Sequence, residues 1–264
     1  MSTPTTPEQP TQTQPQPPKR SQHRVLKRVG ALVAAGALIG LGVGATSAAG
    51  ITSAQAATIA TISVPNISIT SMTPQNVWGT LTNPSVLGPY GDAQWNMQRG
   101  PNYSPVGLWY LYPGHAKDYA ESFYPGMDPL GTYVATPAGA TYTDANFNSQ
   151  AVAQNTPTFY IREGSAAGIA VTRSGNYVTT QGYAKFYNCT LDYGTRGAWQ
   201  VWKSHPVRIE QLRSGKWVGI KTMYTTSNGK TPVFRFVWSA KTSYRAVSGT
   251  TSTTWGATSP VATK

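Results

Sequence analysis

The chain has 264 residues, with 21 lysines and arginines against nine acidic residues, and only three histidines and one cysteine. A single cysteine excludes an internal disulfide framework, and the few histidines and acidic residues show no metal-ligand spacing. The 26 glycines and 20 prolines favour short strands and many turns over long helices. Stability must therefore come from buried apolar and aromatic surface.

The first 56 residues have the composition of an export signal. A Pro/Thr/Gln-rich tract is followed by five basic residues, and residues 29–51 then form an uncharged, Ala/Gly-rich run. Residues 54–56 supply a small-x-small pattern, so cleavage is expected between Ala56 and Ala57. The alternative is a retained anchor, because the uncharged run is long enough to span a bilayer. The long polar N-terminal region and the Ala/Gly-rich apolar run resemble the export signals of actinobacteria. We predict a secreted, extracellular protein.

Residues 57–167 are predicted to form a first, slightly acidic β-sandwich domain. Short runs of alternating apolar and polar residues indicate its strands. They lie at residues 57–69, 77–81, 93–98, 107–112, 130–136 and 158–162. Residues 116–123 favour one or two helical turns, although Pro125 and Pro129 leave no room for a longer helix. Residues 138–157 are predicted to be a long polar link.

Residues 168–264 are predicted to form a second, strongly basic domain, because small residues just before Ile169 mark a boundary. Its strand-like runs lie at residues 169–172, 177–180, 183–187, 199–202, 207–212, 217–224, 233–238 and 243–247. Turn residues at Arg213–Lys216 and Ser227–Lys230 predict two hairpins. Short strands with a turn about every 8–12 residues are typical of an antiparallel β-sandwich.

Three short motifs of the second half occur in an informative order. They are Ser214-Gly215-Lys216-Trp217-Val218, Thr226-Ser227-Asn228-Gly229-Lys230 and Ser243-Tyr244-Arg245-Ala246-Val247. They resemble the S-G-x-W hairpin, the T-x-x-N/D-G turn and the Y-R strand of secreted bacterial Ig-like or fibronectin-III-like modules. The resemblance is clearest over residues 169–264. It implies a β-sandwich fold and an extracellular location, and it transfers no catalytic residue because such modules have none.

The strand pattern and this resemblance together predict an all-β fold. The expected architecture is two antiparallel Ig-like β-sandwich domains in tandem after the N-terminal export signal. Most aromatic residues are predicted to be buried, because a sandwich without disulfides needs large apolar side chains in its core.

Charge is distributed unevenly between the two halves. Residues 57–167 contain three basic and six acidic residues, whereas residues 168–264 contain 13 basic and two acidic residues. A basic surface of this kind attracts acidic polymers, although it also serves solubility. No Gly-rich phosphate loop or nucleic-acid motif accompanies it, which argues against nucleic acid. The candidate cations are Arg208, Arg213, Lys216, Lys221, Lys230 and Arg235.

Trp199 and Trp202 complete the predicted ligand-binding set. Aromatic rings on a protein surface can stack on sugar rings. The two tryptophans are three residues apart, so in a strand they face opposite sides and one of them points outward.

Two groups of reactive side chains suggest catalysis only weakly. Cys189 and His205 could act as nucleophile and base, but nothing in the sequence orients the histidine, and a lone extracellular thiol is more often buried or paired between molecules. Asp118, Glu121 and Asp128 form a local group of carboxylates, for which a solvated loop is the preferred interpretation.

We therefore predict an exported, non-enzymatic Ig-like protein that acts by binding or adhesion at the bacterial cell surface. Its expected partner is cell-wall polysaccharide or another acidic polymer or protein. No catalytic, metal or cofactor residue is predicted. The first alternative is a polyanion- or glycan-binding module that uses the basic second half and its exposed aromatic rings. The second is a hydrolase with a site in the first half. Membrane contact is expected only through residues 29–51, if they are not removed.

Overall fold

Alternating β-branched, aromatic and polar residues form β-strands along the whole described chain. The computed structural model describes residues 59–100, 102–190 and 197–264. The predicted export signal, its cleavage point and the apolar run of residues 29–51 lie outside the described residues. Within them, the only helix is a 3-10 turn at Pro84–Leu87, and no helix has the length and apolar character needed to cross a membrane.

Among the described residues, eleven strands form the first half. They are β1 (Ile59–Ala60), β2 (Ile62–Ser63), β3 (Ile67–Ile69), β4 (Gln75–Leu81), β5 (Asp92–Gln98), β6 (Pro105–Leu111), β7 (Lys117–Phe123), β8 (Gly131–Thr143), β9 (Ser149–Ala151), β10 (Ala153–Gln154) and β11 (Thr158–Glu163). One sheet has the order β3-β11-β8-β5-β6, with β9 beside β8, and a smaller sheet has the order β2-β4-β7. The short strands β1 and β10 pair in parallel.

The core of the first half lies between these two sheets and is rich in aromatic residues. Trp109 of β6 is fully buried, and its indole Nε1 donates a hydrogen bond to the backbone oxygen of Val77 in β4 (3.0 Å). Trp95 of β5 is also fully buried, and its indole donates to the backbone oxygen of Asn155 (2.9 Å). Each indole therefore fills apolar space while its polar N–H is satisfied.

Two local predictions for the first half are wrong. Residues 117–123 form strand β7, in which Tyr119 pairs with Trp78 of β4, and no helical turn is present there. Strand pairing across the sheet overrides the local helix preference. The link at residues 138–157 is also not one long loop, since β8 continues to Thr143 and is followed by β9 and β10.

In the described part of the second half there are nine strands. They are β12 (Ser165–Ser174), β13 (Tyr177–Asn188), β14 (Ala198–Val201), β15 (Pro206–Arg213), β16 (Lys216–Tyr224), β17 (Phe234–Val237), β18 (Ser243–Ser248), β19 (Ala257–Thr258) and β20 (Ala262–Thr263). We call the sheet of β12, β13, β14 and β17 the front sheet and the sheet of β15, β16, β18, β19 and β20 the back sheet. Gly182 of the front sheet lies against Val207 and Ile209 of the back sheet, so the two sheets pack face to face. The predicted fold class, all-β and built from antiparallel sandwiches, is confirmed.

The two predicted hairpins of the second half have different outcomes. Ser214 (φ 47°) and Gly215 (φ 76°) form the two-residue loop between β15 and β16, as expected for a turn that needs two positive φ angles. The Ser227–Lys230 turn also forms, but β17 after it pairs with β13 and not with β16. The chain crosses to the front sheet here because Thr231 is buried and its hydroxyl oxygen accepts a hydrogen bond from the Gly182 amide (3.0 Å).

Glu163 links the two halves. It ends β11, and only Gly164 separates it from β12. Its buried side chain accepts hydrogen bonds from the backbone amide of Cys189 (3.0 Å) and from the hydroxyl of Thr254 (3.1 Å). Trp255 adds a second link, because its indole donates to the backbone oxygen of Ile67 (2.9 Å). The division into two domains between residues 167 and 168 stays a prediction.

Candidate binding surface

Strand β13 presents alternate side chains to opposite sides of the front sheet. Val178, Thr180 and Ala184 are buried against the back sheet, which places the odd-numbered residues on the outer face. Residues paired across an antiparallel ladder share a face. The register pairs Thr179 with Arg235, Tyr183 with Lys230, Lys185 with Val201, and Tyr187 with Trp199.

This register assembles a surface of three aromatic rings and three cations, which we call the cationic aromatic face. Its members are Tyr177, Tyr183, Lys185, Trp199, Lys230 and Arg235. The three rings are each between 42 and 46 % exposed. About half of each ring is therefore accessible to a partner, and the rest is in contact with the protein.

Each ring of the face has one cation beside it. The Arg235 guanidinium carbon lies 4.2 Å from the centre of the Tyr177 ring, and the Lys185 Nζ lies 5.0 Å from the Trp199 ring. Lys230 is the strand-register neighbour of Tyr183. Such contacts hold the rings and the charges in fixed relative positions.

Gly168 leaves room for the Tyr183 ring close to the sheet. Gly168 pairs with Tyr183 across the β12–β13 ladder, and a Cβ atom at this glycine would overlap the ring. A larger residue would displace the ring from the sheet. The ring therefore packs over the glycine and is still partly exposed to solvent.

The electrostatic environment of the face is positive. After Gly164, Glu210 is the only acidic side chain among the described residues, and it belongs to the back sheet. None of the three cations of the face takes part in an ion pair between side chains of the described part. Their charge is thus available to an anionic partner.

Arg208, by contrast, is already paired. It contacts the buried carboxylate of Glu210 (Nη2 to Oε1, 2.5 Å), and Arg245 contacts the other carboxylate oxygen (Nε to Oε2, 2.7 Å). Burial opposes the negative charge, but the hydrogen bonds and charges of Arg245 and Arg208 outweigh it and lower the pKa of Glu210. The charge of Arg208 is therefore paired within its own strand, whereas the Arg245 contact joins β18 to β15.

The remaining predicted cations lie on the β15–β16 hairpin of the back sheet. Arg213 donates to the Gln211 side chain (2.7 Å) and stacks over Trp238, with its guanidinium carbon 4.7 Å from the ring centre. Lys216 begins β16 beyond the turn, and Lys221 lies on the same strand. The predicted set is thus divided, with Trp199, Lys230 and Arg235 on the cationic aromatic face and the other cations on the back sheet.

Trp202 is not part of the face. Its ring stacks on the buried His205 (3.5 Å between ring centres) and packs against the core of the second half. Trp199 is the more exposed of the two tryptophans.

Three members of the face, Tyr177, Tyr183 and Lys185, are missing from the sequence prediction. Their signal is the alternation of residues 177–187, in which large or charged side chains occupy most odd positions and small ones occupy most even positions. The neighbours that complete the face come from β14, β17 and the segment before β17, and the sequence does not show these pairings.

Cys189 and His205 do not form a nucleophile and base. Cys189 is fully buried in the core of the first half, and burial, with a smaller contribution from the Glu163 carboxyl group, raises its pKa to about 12. His205 is buried against Trp202, and burial lowers its pKa although a hydrogen bond to the Gly249 backbone acts in the opposite direction. A buried thiol of high pKa is a poor nucleophile at neutral pH.

We expect Cys189 to resist alkylation in the folded protein. With a pKa of about 12, the thiolate fraction at pH 8 is about one part in ten thousand. Labelling with a maleimide, followed by mass spectrometry, should be slow without denaturant and complete in urea. Rapid, complete labelling of the folded protein would contradict this assignment.

The carboxylates of the first half are not gathered in one cleft. Asp118 pairs with His115 (3.6 Å) and accepts hydrogen bonds from the backbone amides of Tyr110 (3.4 Å) and Tyr119 (2.8 Å). Glu121 and Asp128 instead line a separate pocket of about 590 Å³. Its other walls include Met97, Arg99, Tyr103, Phe123, Tyr124 and Tyr133. Among the described residues, no group of three or more His, Cys, Asp or Glu side chains is placed to hold a metal ion.

Comparison with known proteins gives no family. No family model matches the chain, and no curated protein matches it. Among solved structures, it is similar to a tetra-tandem repeat from the extending region of a large adhesion protein, at 13 % identity and a TM-score of 0.29, over 78 % of this chain and 48 % of that one. The chain thus spans about half the length of that structure.

Two further solved structures are similar over most of their length. Fibronectin(III)-like modules of Clostridium thermocellum CbhA have 10 % identity and a TM-score of 0.31, over 76 % of this chain and 90 % of that one. The D00-D0 domain of intimin has 14 % identity and a TM-score of 0.26, over 78 % of this chain and 98 % of that one. These TM-scores are too low to support an argument, so the β-sandwich assignment rests on the strand pairing described above.

Proposed function

We propose that the protein is an exported, non-enzymatic binding module of the bacterial cell surface, and that it binds acidic polymers on the cationic aromatic face. One observation supports this most directly. Lys185, Lys230 and Arg235 lie on one sheet face, unpaired with acidic side chains of the described part, beside half-exposed rings. Cations grouped in this way raise the local concentration of a polyanion and hold several of its charges at once.

The expected partner is an acidic polymer of the cell envelope. The secretory pattern of residues 1–56 supports an extracellular location, and the absence of a nucleic-acid motif in the sequence argues against nucleic acid. The back sheet is the less suitable surface, because Arg208 and Arg245 are both paired with the buried Glu210 carboxylate.

Charge reversal on the face tests this function. The variant Lys185→Glu/Lys230→Glu/Arg235→Glu should bind isolated Gram-positive cell walls and immobilised polyphosphate roughly a hundredfold more weakly at low salt. Each cation near an anionic surface contributes about 1 kcal/mol, and reversal removes attraction at three positions. Binding of the unaltered protein should fall as salt concentration rises. Affinity and elution salt are the measured quantities.

The matched control reverses the same number of charges on the other sheet. The variant Arg213→Glu/Lys216→Glu/Lys221→Glu changes the net charge equally but leaves the face intact. It should retain most of the binding, and thermal unfolding of both variants checks the fold. If both variants lose binding equally, net charge alone explains the retention and the face is not the site.

A further inference from the structure

We infer that the polymer bound on the cationic aromatic face is an acidic polysaccharide, a chain of pyranose rings that carry carboxylates. This inference rests on the proposed function and names the partner. The chain of sugars would lie along β13, with its ring faces on Tyr177, Tyr183 and Trp199 and its carboxylates at the neighbouring cations.

The face repeats one pattern three times. Tyr177 has Arg235 beside it, Tyr183 has Lys230, and Trp199 has Lys185. The face therefore consists of three pairs, each with one aromatic ring and one positively charged side chain. Tyr177 and Lys185 are eight residues apart on β13, a distance of about 27 Å at the rise of an antiparallel strand. A linear polymer with one ring and one negative charge per unit matches this repeat over several units.

The rings distinguish a sugar polymer from other polyanions. A polyphosphate or a polyol phosphate has no ring in its backbone, so it would use only the cations and leave the half-exposed rings unoccupied. The Tyr183 ring, which packs over Gly168 and is 44 % exposed, offers aromatic surface on which a sugar ring can stack. Because aromatic faces are electron-rich, they attract the weakly positive C–H groups of a pyranose.

The charges distinguish an acidic sugar polymer from a neutral one and from a nucleic acid. A neutral polysaccharide would leave the cations of the face without a counter-charge. In a nucleic acid, the base and the phosphate are separated by a sugar. In a uronic acid, the carboxylate is attached to the sugar ring itself, so a sugar that contacts a ring of the face also brings its charge near the cation over that ring. The guanidinium carbon lies over the Tyr177 ring, 4.2 Å from its centre, and the ammonium lies over the Trp199 ring, 5.0 Å from its centre.

Binding of four polymers to the purified protein tests the inference: polygalacturonate, a neutral dextran, polyphosphate and oligothymidylate. We expect measurable affinity for polygalacturonate, weaker affinity for polyphosphate and oligothymidylate, and none for dextran. The variant Tyr177→Ala/Tyr183→Ala/Trp199→Ala should bind polygalacturonate about tenfold more weakly or worse, since each ring contact contributes a modest amount. Its affinity for polyphosphate should change less than twofold.

Two further variants act as controls. Tyr177→Phe/Tyr183→Phe/Trp199→Phe keeps the aromatic faces and should keep the affinity for polygalacturonate. Tyr90→Ala/Tyr119→Ala/Tyr224→Ala removes three exposed rings from other surfaces and should also keep it. If both control variants bind polygalacturonate as tightly as the unaltered protein, the loss of affinity in the alanine variant is due to the rings of the face.

The outcomes separate this inference from the proposed function. Ring removal that leaves polygalacturonate binding unchanged, or that weakens polyphosphate binding equally, overturns the inference. Dextran binding as tight as polygalacturonate binding overturns it, and so does tightest binding of oligothymidylate. The proposed function fails in a different way, when charge reversal of the face leaves binding of every anionic polymer unchanged.

Discussion

Replacing Trp109 with alanine is expected to lower the free energy of unfolding by about 3–5 kcal/mol, the cost of deleting a fully buried large aromatic side chain. Trp109 is 0 % exposed, and its indole bonds to the backbone oxygen of Val77 across the sandwich of the first half. It also packs edge-on against Phe159, with 6.1 Å between ring centres. Urea unfolding followed by circular dichroism measures the loss.

Two matched variants assign the loss to burial and to the hydrogen bond. Trp109→Phe keeps most of the apolar volume but leaves the Val77 oxygen without its indole donor, so an intermediate loss of about 1–3 kcal/mol is expected. Trp78→Ala removes an indole that is 39 % exposed, and it should lower the stability much less than Trp109→Ala. Equal losses for Trp78→Ala and Trp109→Ala would show that Trp109 does not hold the two sheets together.

Replacing Glu163 with alanine is expected to lower the free energy of unfolding by about 2–4 kcal/mol. The change removes the acceptors of the Cys189 amide and the Thr254 hydroxyl, and leaving buried donors unsatisfied costs about 1–3 kcal/mol for each group. Glu163 is only 4 % exposed, so water cannot readily replace the lost bonds. Calorimetry of the variant should also show a broader transition, because the two halves then share fewer contacts.

Glu163→Gln is the control for shape. Glutamine keeps one acceptor oxygen and nearly the same volume, so the loss should be less than half that of Glu163→Ala. Glu121→Ala, at an exposed carboxylate, should change the stability by less than about 0.5 kcal/mol. If Glu163→Ala is as stable as Glu121→Ala, the bonds of Glu163 do not contribute to the link between the halves.

The strands that the sequence predicts well are those with strict alternation and clear turns. Residues 207–212 and 217–224 flank a Ser-Gly turn, and both form strands of the back sheet. Residues 116–123 mislead because their local composition suits a helical turn, while their state is decided by pairing with β4. Local preference spans only tenths of a kcal/mol per residue, so a ladder of hydrogen bonds outweighs it.

The positive charge of the cationic aromatic face was predictable from the sequence, but the set of residues that form the face was not. Lys230 and Arg235 are visible in the sequence as part of a basic half, but their place beside Tyr183 and Tyr177 depends on a chain crossing. The Ser227–Lys230 turn predicts a hairpin, and the structure instead directs β17 to β13. Local sequence patterns do not indicate which distant strands will pair. The residues of the face can therefore be identified only once the strand pairing in the structure is known.

The connection at Gly164 has a mechanical consequence. One residue separates β11 from β12, and the Glu163 side chain bonds to Cys189, which follows β13, and to Thr254, which lies between β18 and β19. A force applied to β13 therefore reaches β11 of the first half through β12, without a flexible linker to extend. Such a force acts directly on hydrogen-bonded strands, and the backbone hydrogen bonds between these strands resist it together. The cationic aromatic face thus lies on the second half, and the largest aromatic core lies in the first half.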